Sequence, residues 1–397
     1  MNKSPGELPS LAKVKVAFVG APDLEFYGGT QKTVILLATL LSKSNYDVTI
    51  FGSGTYFERR QIEIDNSIKY ERNAFRLDPL AWRAVQMLSR GVSEPLIGMF
   101  TSRYVFKKIK GYDIYYFTAP KFLLYSFLKH NKGNARVIVG NHGTYYEYLS
   151  SRNDFISRSL LNLLDSILLK YLNRRGTYVH AQTLSQEEHY KNRGISGDKV
   201  FVIPLCDVDF SSYALKKNKI LKVVFLNRLS EDKGADLIPV IAKICKDIEF
   251  EVIGAGPLMN LIKKVSPENV KIEGFLPEKE KREKMEECDI MLNLSKYESL
   301  STSSIEGIAC GQRILSLRRT TGLEFIHEKV PEAVIFSDGS VEGICREIMR
   351  IKEFMEKDRD KFEEVKSVIR AKGEQIFDRK IISEKMKELF QKVMIGD

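Results

Sequence analysis

The chain has 397 residues, of which 43% are hydrophobic and 29% charged, with 62 Lys and Arg against 52 Asp and Glu for a formal net charge of +10. These values exclude a low-complexity chain and predict two or three globular domains, and the basic excess favours an anionic partner: nucleic acid, acidic lipid or a phosphorylated small molecule. Five scattered cysteines without a CxxC pair argue against a disulfide framework or a zinc site. Because no apolar run reaches about 18 residues and the N-terminus lacks a signal-peptide core, we expect a cytoplasmic protein.

Short apolar runs rich in β-branched residues alternate with helical patterns along the chain. The predicted strands of the first half are VKVAFVG (14–20), DVTIFG (47–52), YDIYYF (112–117), RVIVGN (136–141), TYVHAQ (177–182) and KVFVIP (199–204). Those of the second half are KVVFLN (222–227), IEFEVIG (248–254), VKIEGF (270–275), DIMLNLS (289–295), RILSL (313–317) and AVIF (333–336). Continuously apolar runs of this length are typical of parallel strands covered on both faces.

Two such series predict an α/β fold of two facing doubly wound, Rossmann-like domains. We place the first domain at 1–204, a linker at 205–220 where the strand rhythm lapses, and the second domain at 221–378. A C-terminal helix over 379–397 is expected to cross back to the first domain. Because ligands in such folds bind at the carboxyl ends of the strands, we expect a site in an interdomain cleft.

Two features of the first half follow strand ends. Gly28 and Gly29 precede a predicted helix and would allow close backbone approach to a phosphate, although the stretch lacks a full G-x-G-x-x-G and also fits a plain turn. His142 lies in a loop after a predicted strand, where a ligand contact competes with a structural role.

Two turns of the second half carry candidate nucleotide-binding groups. Arg228 and Lys233 lie in NRLSEDKG (227–234) after the first strand, where two cations suit a diphosphate, or else form a solvated turn. Gly254 and Gly256 in VIGAGP (252–257) end the next strand, which fits a nucleotide lying across it or a tight turn.

The stretch KYESLSTSSIEGIACG (296–311) places Glu298 and Glu306 on either side of a run of hydroxyl residues. Ser303 and Glu306 have the S-x-x-E spacing of a capping box at a helix start. The alternative is that the two carboxylates hold a ligand rich in hydroxyls.

Each of these motifs is weak evidence alone, but their order along the chain is similar to that of a known family. Besides those above, the resemblance is carried by VIP (202–204), GFLPEKE (274–280) and TTGLEFI (320–326), and its most specific element is Glu298-x7-Glu306 followed by Gly311. Over nearly its whole length the chain resembles the family 4 glycosyltransferases, retaining nucleotide-sugar enzymes of the GT-B fold.

The resemblance implies roles for these residues. Arg228 and Lys233 would neutralise the donor diphosphate, which is the leaving group. Glu306 would accept hydrogen bonds from the ribose hydroxyls, while Glu298 and His142 would face the transferred sugar. The implied catalytic set is Glu298, His142, Arg228 and Lys233, and the implied donor-binding set adds Gly28, Gly29, Gly254, Gly256, Ser301, Thr302, Ser303 and Glu306. No cofactor or metal is implied.

Some positions depart from the family pattern. Ser299 and Ser301 stand where the family usually has glycine, and Ser303 stands where proline is common, so the identity of the donor sugar stays open. The DVD sequence at 207–209 matches a D-x-D metal motif of another glycosyltransferase fold, but it falls in the predicted linker.

The acceptor side is predicted from surface patterns. Residues 82–112 hold six basic residues and one acidic residue among aromatic and aliphatic ones, and 155–175 is apolar with a helical period and a basic end. Such stretches suit docking on an anionic membrane and hence a lipid-linked acceptor, or are ordinary core and surface helices.

Two rival functions stay open. One is a GT-B nucleotide-sugar epimerase or hydrolase. The other is a basic, non-catalytic nucleic-acid-binding protein, which needs stacking aromatics along a basic groove and leaves the ordered motifs unexplained.

Overall fold

The computed structural model describes residues 13–21, 29–44, 46–52, 65–71, 109–118, 135–140, 169, 172–173 and 176–395. The described residues fall into two compact units. The first comprises those up to Gly140, those from 167 to His180 and those from Lys387 onward, and the second comprises those of Ala181–Met386. The predicted boundaries of the domains and the linker stay predictions.

All twelve predicted strands form, and the structure adds one. The strands are β1 Val14–Ala21, β2 Tyr46–Gly52, β3 Lys69–Glu71, β4 Ile114–Phe117, β5 Arg136–Gly140, β6 Tyr178–Ala181, β7 Val200–Val202, β8 Lys222–Leu226, β9 Glu249–Ile253, β10 Val270–Gly274, β11 Ile290–Asn293, β12 Arg313–Ser316 and β13 Val334–Phe336. Strand β3 has no apolar run because it is three residues long and largely exposed at the edge of its sheet.

The strands form two sheets with the same winding. The first has the order β3-β2-β1-β4-β5-β6-β7 and the second β10-β9-β8-β11-β12-β13. Neighbouring strands such as β1 and β2, or β8 and β11, pair in parallel. This agrees with the parallel sheets predicted from the continuous apolar runs. In each sheet the winding reverses once, between β1 and β4 and between β8 and β11. The carboxyl ends at such a reversal border the crevice where α/β sheets bind ligands.

The described residues include ten α-helices, numbered here in chain order. They are α1 Gly29–Ser42, α2 Leu184–Lys191, α3 Ile238–Ile244, α4 Met259–Val265, α5 Glu278–Glu286, α6 Thr302–Ala309, α7 Thr321–Lys329, α8 Val341–Lys357, α9 Arg359–Phe377 and α10 Arg379–Ile395.

Apolar residues of the strands and helices pack into the core of the second unit. Val223, Phe250 and Leu292 on the sheet belong to the same buried cluster as Ile241 of α3 and Ile348 of α8. Burying side chains of this size gains about 1.5–3 kcal/mol each relative to exposure, which fixes the sheet that carries the site.

Candidate active site

The candidate site is built on the two central strands of the second sheet. Strands β8 and β11 are hydrogen-bonded neighbours, and the winding reverses between them. After β8 the chain turns through Asn227–Ser230 into a short 3-10 helix, Glu231–Lys233. After β11 it forms the loop 294–301 that leads into α6. The two segments predicted to bind a donor therefore follow the carboxyl ends of adjacent strands.

The structure brings Lys233 and Glu298 together. The Nζ atom of Lys233 lies 2.8 Å from Oε1 of Glu298, and the side chains are 21% and 11% exposed. The hydroxyl of Ser295 donates to the same oxygen at 2.7 Å. The other oxygen of Glu298, Oε2, accepts no hydrogen bond from any residue that the structure describes. Within the described part of the chain, one carboxylate oxygen of Glu298 is thus fixed by two donors while the second has none.

Backbone contacts hold the Lys233 turn against the Glu298 loop. Gly234 has φ 69°, and a Cβ atom there would lie 2.5 Å from the carbonyl oxygen of Leu294, so the position requires glycine. The amide of Lys296 donates to the carbonyl of Asp232 at 2.9 Å. On the other side of the loop, the amide of Gly322 donates to the carbonyl of Glu298 at 2.9 Å. The loop is therefore tied both to the 3-10 turn and to α7.

Arg228 lies on a turn that two predicted glycines support. A Cβ atom on Gly254, which has φ 138°, would lie 2.0 Å from the carbonyl oxygen of Asn227, and one on Gly256 would lie 2.4 Å from that of Leu229. The glycines thus allow the β9–α4 turn to pack directly on the backbone around Arg228. The Arg228 side chain is exposed and makes no ion pair within the described part of the chain. Its guanidinium is available to an anion.

The predicted capping box of Ser303 and Glu306 is wrong, because the helix begins earlier than the spacing indicates. Helix α6 starts at Thr302, its N-cap is Ser301, and the Ser301 hydroxyl accepts from the amide of Ser304 at 3.3 Å. Ser303 is the second helical residue, next to the amides of the first turn, which have no partner within the helix.

A buried polar cluster fixes this helix start to strand β11. The side-chain amide of Asn293 donates to the hydroxyls of Ser301 at 2.8 Å and Ser304 at 3.0 Å. All three residues are at most 2% exposed, so these bonds satisfy groups that would otherwise be costly to bury. The cluster positions the first turn of α6 beside the loop that carries Glu298.

Glu306 is a paired, buried carboxylate. Its Oε1 lies 2.6 Å from Nζ of Lys281 on α5 and accepts from the Tyr213 hydroxyl at 3.2 Å. Burial, followed by the charge of Glu306, raises the pKa of Tyr213 above its ordinary value, so the phenol stays a donor. The second oxygen, Oε2, receives no hydrogen bond from the described residues. Sequence reasoning missed both partners, since they lie 25 and 93 residues from Glu306 and belong to no motif.

The remaining predicted residues belong to other segments of the chain. Gly29 is the first residue of α1, whereas Gly28 and His142 lie outside the described residues, as do nearly all of 82–112 and 155–175. In the DVD sequence, Asp207 pairs with Arg379 at 2.5 Å and Asp209 caps the short helix Phe210–Ser212.

Two family models match the chain, one after the other. The model of Glycosyltransferase Family 4 matches residues 27–206, and that of Glycosyl transferases group 1 matches residues 209–366. The chain belongs to the group 1 and family 4 glycosyltransferases. The second match contains the turn and the loop described above.

Solved structures show the same fold at low sequence identity. Sucrose-phosphate synthase from Thermosynechococcus elongatus superposes with a TM-score of 0.71 at 15% identity, over 97% of this chain and 100% of that one. HepE from Anabaena, in complex with UDP and glucose, superposes with a TM-score of 0.64 at 16% identity, over 96% of this chain and 99% of HepE. A glycosyltransferase from Rickettsia africae superposes with a TM-score of 0.70 at 17% identity, over 98% of this chain and 100% of that one. The glycosyltransferase has the GT-B fold.

One curated relative is human. Over 205 residues the chain is 25% identical to a component of the human phosphatidylinositol N-acetylglucosaminyltransferase. This match covers 49% of the chain and only 39% of the human protein.

Within the described ranges, no helix combines the length and the apolar character needed to cross a bilayer.

Proposed function

We propose that this glycosyltransferase moves a hexosyl-type sugar from a nucleoside-diphosphate sugar to a glycan or a lipid-linked acceptor, retains the anomeric configuration and needs no metal. The observation that carries the proposal is the arrangement of Arg228, Lys233, Glu298 and Glu306 after the carboxyl ends of adjacent strands. Two cations accompany two carboxylates, and among the described residues only one oxygen of each carboxylate has a hydrogen-bonding partner. A nucleoside-diphosphate sugar requires both kinds of group: cations that bind its diphosphate and hydrogen-bond acceptors that bind its sugar and ribose hydroxyls.

The cations act on the leaving group. When the bond from the sugar to the diphosphate breaks, negative charge develops on the departing phosphate oxygen. Arg228 and Lys233, together with the amides in the first turn of α6, stabilise this charge. Because this set already supplies positive charge, the proposed reaction runs without a metal ion.

The carboxylates select the donor by its hydroxyls. Oε2 of Glu306 accepts from the ribose, and Oε2 of Glu298 accepts from the transferred sugar. His142 and Gly29 contribute from the N-terminal half of the chain, His142 at the sugar and Gly29 at the phosphates. The complexes of HepE with UDP and with UDP-glucose support a uridine donor, and the human relative supports an N-acetylglucosaminyl group as one option.

A panel of ligands tests the class of function. In a thermal-shift experiment, we expect UDP-glucose, UDP-N-acetylglucosamine or GDP-mannose to raise the Tm selectively, and the double variant R228M/K233M to lose that shift. A Tm shift with single-stranded oligonucleotides alone would contradict the proposal and favour a nucleic-acid-binding protein. Nucleotide release that does not depend on any acceptor would favour the hydrolase.

The membrane surface is the second part of the proposal. The basic and aromatic stretch 82–112 docks on anionic lipid, which agrees with the phosphatidylinositol in the name of the human relative. We expect the protein to sediment with anionic liposomes at low salt and to leave them as salt rises. Equal binding to neutral and anionic liposomes would contradict docking by charge.

A further inference from the structure

We propose that Lys281 and Tyr213 are positioning residues that aim the Glu306 carboxylate at the ribose of the donor. This inference rests on the proposed function and adds two residues that no motif of the chain contains. Both residues act through Glu306, so neither needs to touch the nucleotide.

The contacts around Glu306 are asymmetric. Lys281 and Tyr213 both bind Oε1, at 2.6 Å and 3.2 Å, and no described residue binds Oε2. Two donors on one oxygen fix both the position of the carboxylate and its rotation about its last side-chain bond. The second oxygen then has a defined direction, which is what a hydroxyl-binding acceptor requires.

Lys281 is a nearly fully buried lysine, which is rare in folded proteins. It is only 7% exposed, Tyr213 is 6% exposed and Glu306 is 8% exposed. Lysine is almost never buried without a charged partner. Its other partner, Glu278 at 2.7 Å, is 49% exposed in its side chain, so Glu306 is the buried carboxylate that Lys281 neutralises. An apolar residue could fill this space without the desolvation cost of a charge, so the buried lysine points to a role toward Glu306.

The loop with Glu298 repeats this arrangement. Oε1 of Glu298 binds Lys233 and the hydroxyl of Ser295, just as Oε1 of Glu306 binds Lys281 and the hydroxyl of Tyr213. Each glutamate of the Glu298-x7-Glu306 pair therefore has one lysine and one hydroxyl on one oxygen. In both cases the remaining oxygen accepts from no described donor.

The test measures the dissociation constants of UDP and GDP, with their 2′-deoxy and 3′-deoxy forms, by calorimetry. For the diphosphate that wild type binds, we expect at least one deoxy form to bind more weakly. K281M should raise the Kd of the ribose form about tenfold, the factor expected for a disturbed hydrogen bond to a charged group. K281M should change the Kd of the deoxy form that wild type binds more weakly by less than about threefold, because that form lacks the hydroxyl that Glu306 binds.

Three further variants keep the test decisive. K279M changes an exposed lysine of the same helix, with an 82% exposed side chain, and should behave as wild type. K281R restores the charge and should recover part of the affinity. Y213F removes only the hydroxyl and should act in the same direction as K281M but more weakly, which decides the matter if K281M does not fold.

The outcomes are distinct. If K281M and Y213F bind every form as wild type does, or weaken the ribose and deoxy forms equally, the positioning role is wrong. It is equally wrong if wild type does not discriminate the deoxy forms. If wild type binds neither UDP nor GDP, the proposed function itself fails.

Discussion

At the residue scale, the two glutamates of the site are held in the same way although they lie on different elements. Glu298 is in the loop after β11 and Glu306 is inside α6, yet each has Oε1 bound by a lysine and a hydroxyl. The two contacts hold each carboxylate in a fixed orientation, and a carboxylate oxygen is a strong hydrogen-bond acceptor. The orientation of each glutamate therefore depends on a lysine and a hydroxyl group outside its own side chain.

The first prediction concerns the two cations. R228M should lower kcat/KM for sugar transfer by about one to two decades, since a hydrogen bond to a charged group contributes roughly 1.5–3 kcal/mol. Its Tm should not change, because Arg228 is exposed and has no ion pair among the described residues. K233M should cause a similar kinetic loss and also lower the Tm, because it leaves Glu298 without its cation.

The control for this pair is R350M, which changes an arginine with an 80% exposed side chain on α8. It should match wild type in rate and in Tm. Near-wild-type kinetics in both R228M and K233M would show that these residues form only a solvated turn.

The second prediction separates the helix cap from the ligand contact. S301A removes the N-cap of α6 and should lower the free energy of unfolding by about 1 kcal/mol. E306Q keeps the shape of the side chain but weakens its acceptor oxygen, so the donor KM should rise roughly tenfold.

Chemical denaturation and initial-rate kinetics on both variants measure these effects. Wild-type kinetics for E306Q would remove the ribose role from Glu306. A wild-type unfolding free energy for S301A would show that the cap contributes nothing to stability.

At the element scale, glycines let the turns after the strands pack backbone against backbone. Gly254 lies against Asn227, Gly256 against Leu229 and Gly234 against Leu294. The motif glycines therefore shape the site by supporting the Arg228 and Lys233 turns, whatever they also do toward a nucleotide.

The third prediction compares two glycines with the same backbone restriction. Gly254 and Gly339 both have a positive φ, 138° and 90°. They differ in the space around them: a Cβ atom on Gly254 would lie 2.0 Å from the carbonyl oxygen of Asn227, whereas one on Gly339 would lie 3.9 Å from the nearest atom, the carbonyl oxygen of Leu317. G339A should cost about 1–2 kcal/mol of stability through backbone strain alone. G254A should cost more and should also weaken donor binding, because the Arg228 turn must move. Equal Tm values and equal donor affinities in the two variants would contradict this account of the turn.

The strands were predictable because parallel strands buried on both faces leave continuous apolar runs, as in 222–227 and 289–295. Strand β3 left no such signal because it is short and exposed. The start of α6 was misplaced by two residues, since four hydroxyl residues in a row offer several possible caps. Lys281 and Tyr213 could not be predicted, because only tertiary packing brings them to Glu306.

At the scale of the whole molecule, the described sheets share one winding, and in the second sheet the reversal lies at the candidate site. The match of the group 1 family model covers this sheet and its turns. We therefore propose, as the central feature of this glycosyltransferase, that the second unit binds the diphosphate of a sugar donor through protein cations.

Calorimetric titration of UDP and GDP in the presence of EDTA tests that claim most directly. The account predicts that wild type binds one of the two diphosphates in EDTA and that R228M/K233M binds it at least tenfold more weakly. Binding that disappears in EDTA and returns with Mn²⁺, or equal binding by wild type and the double variant, would contradict it.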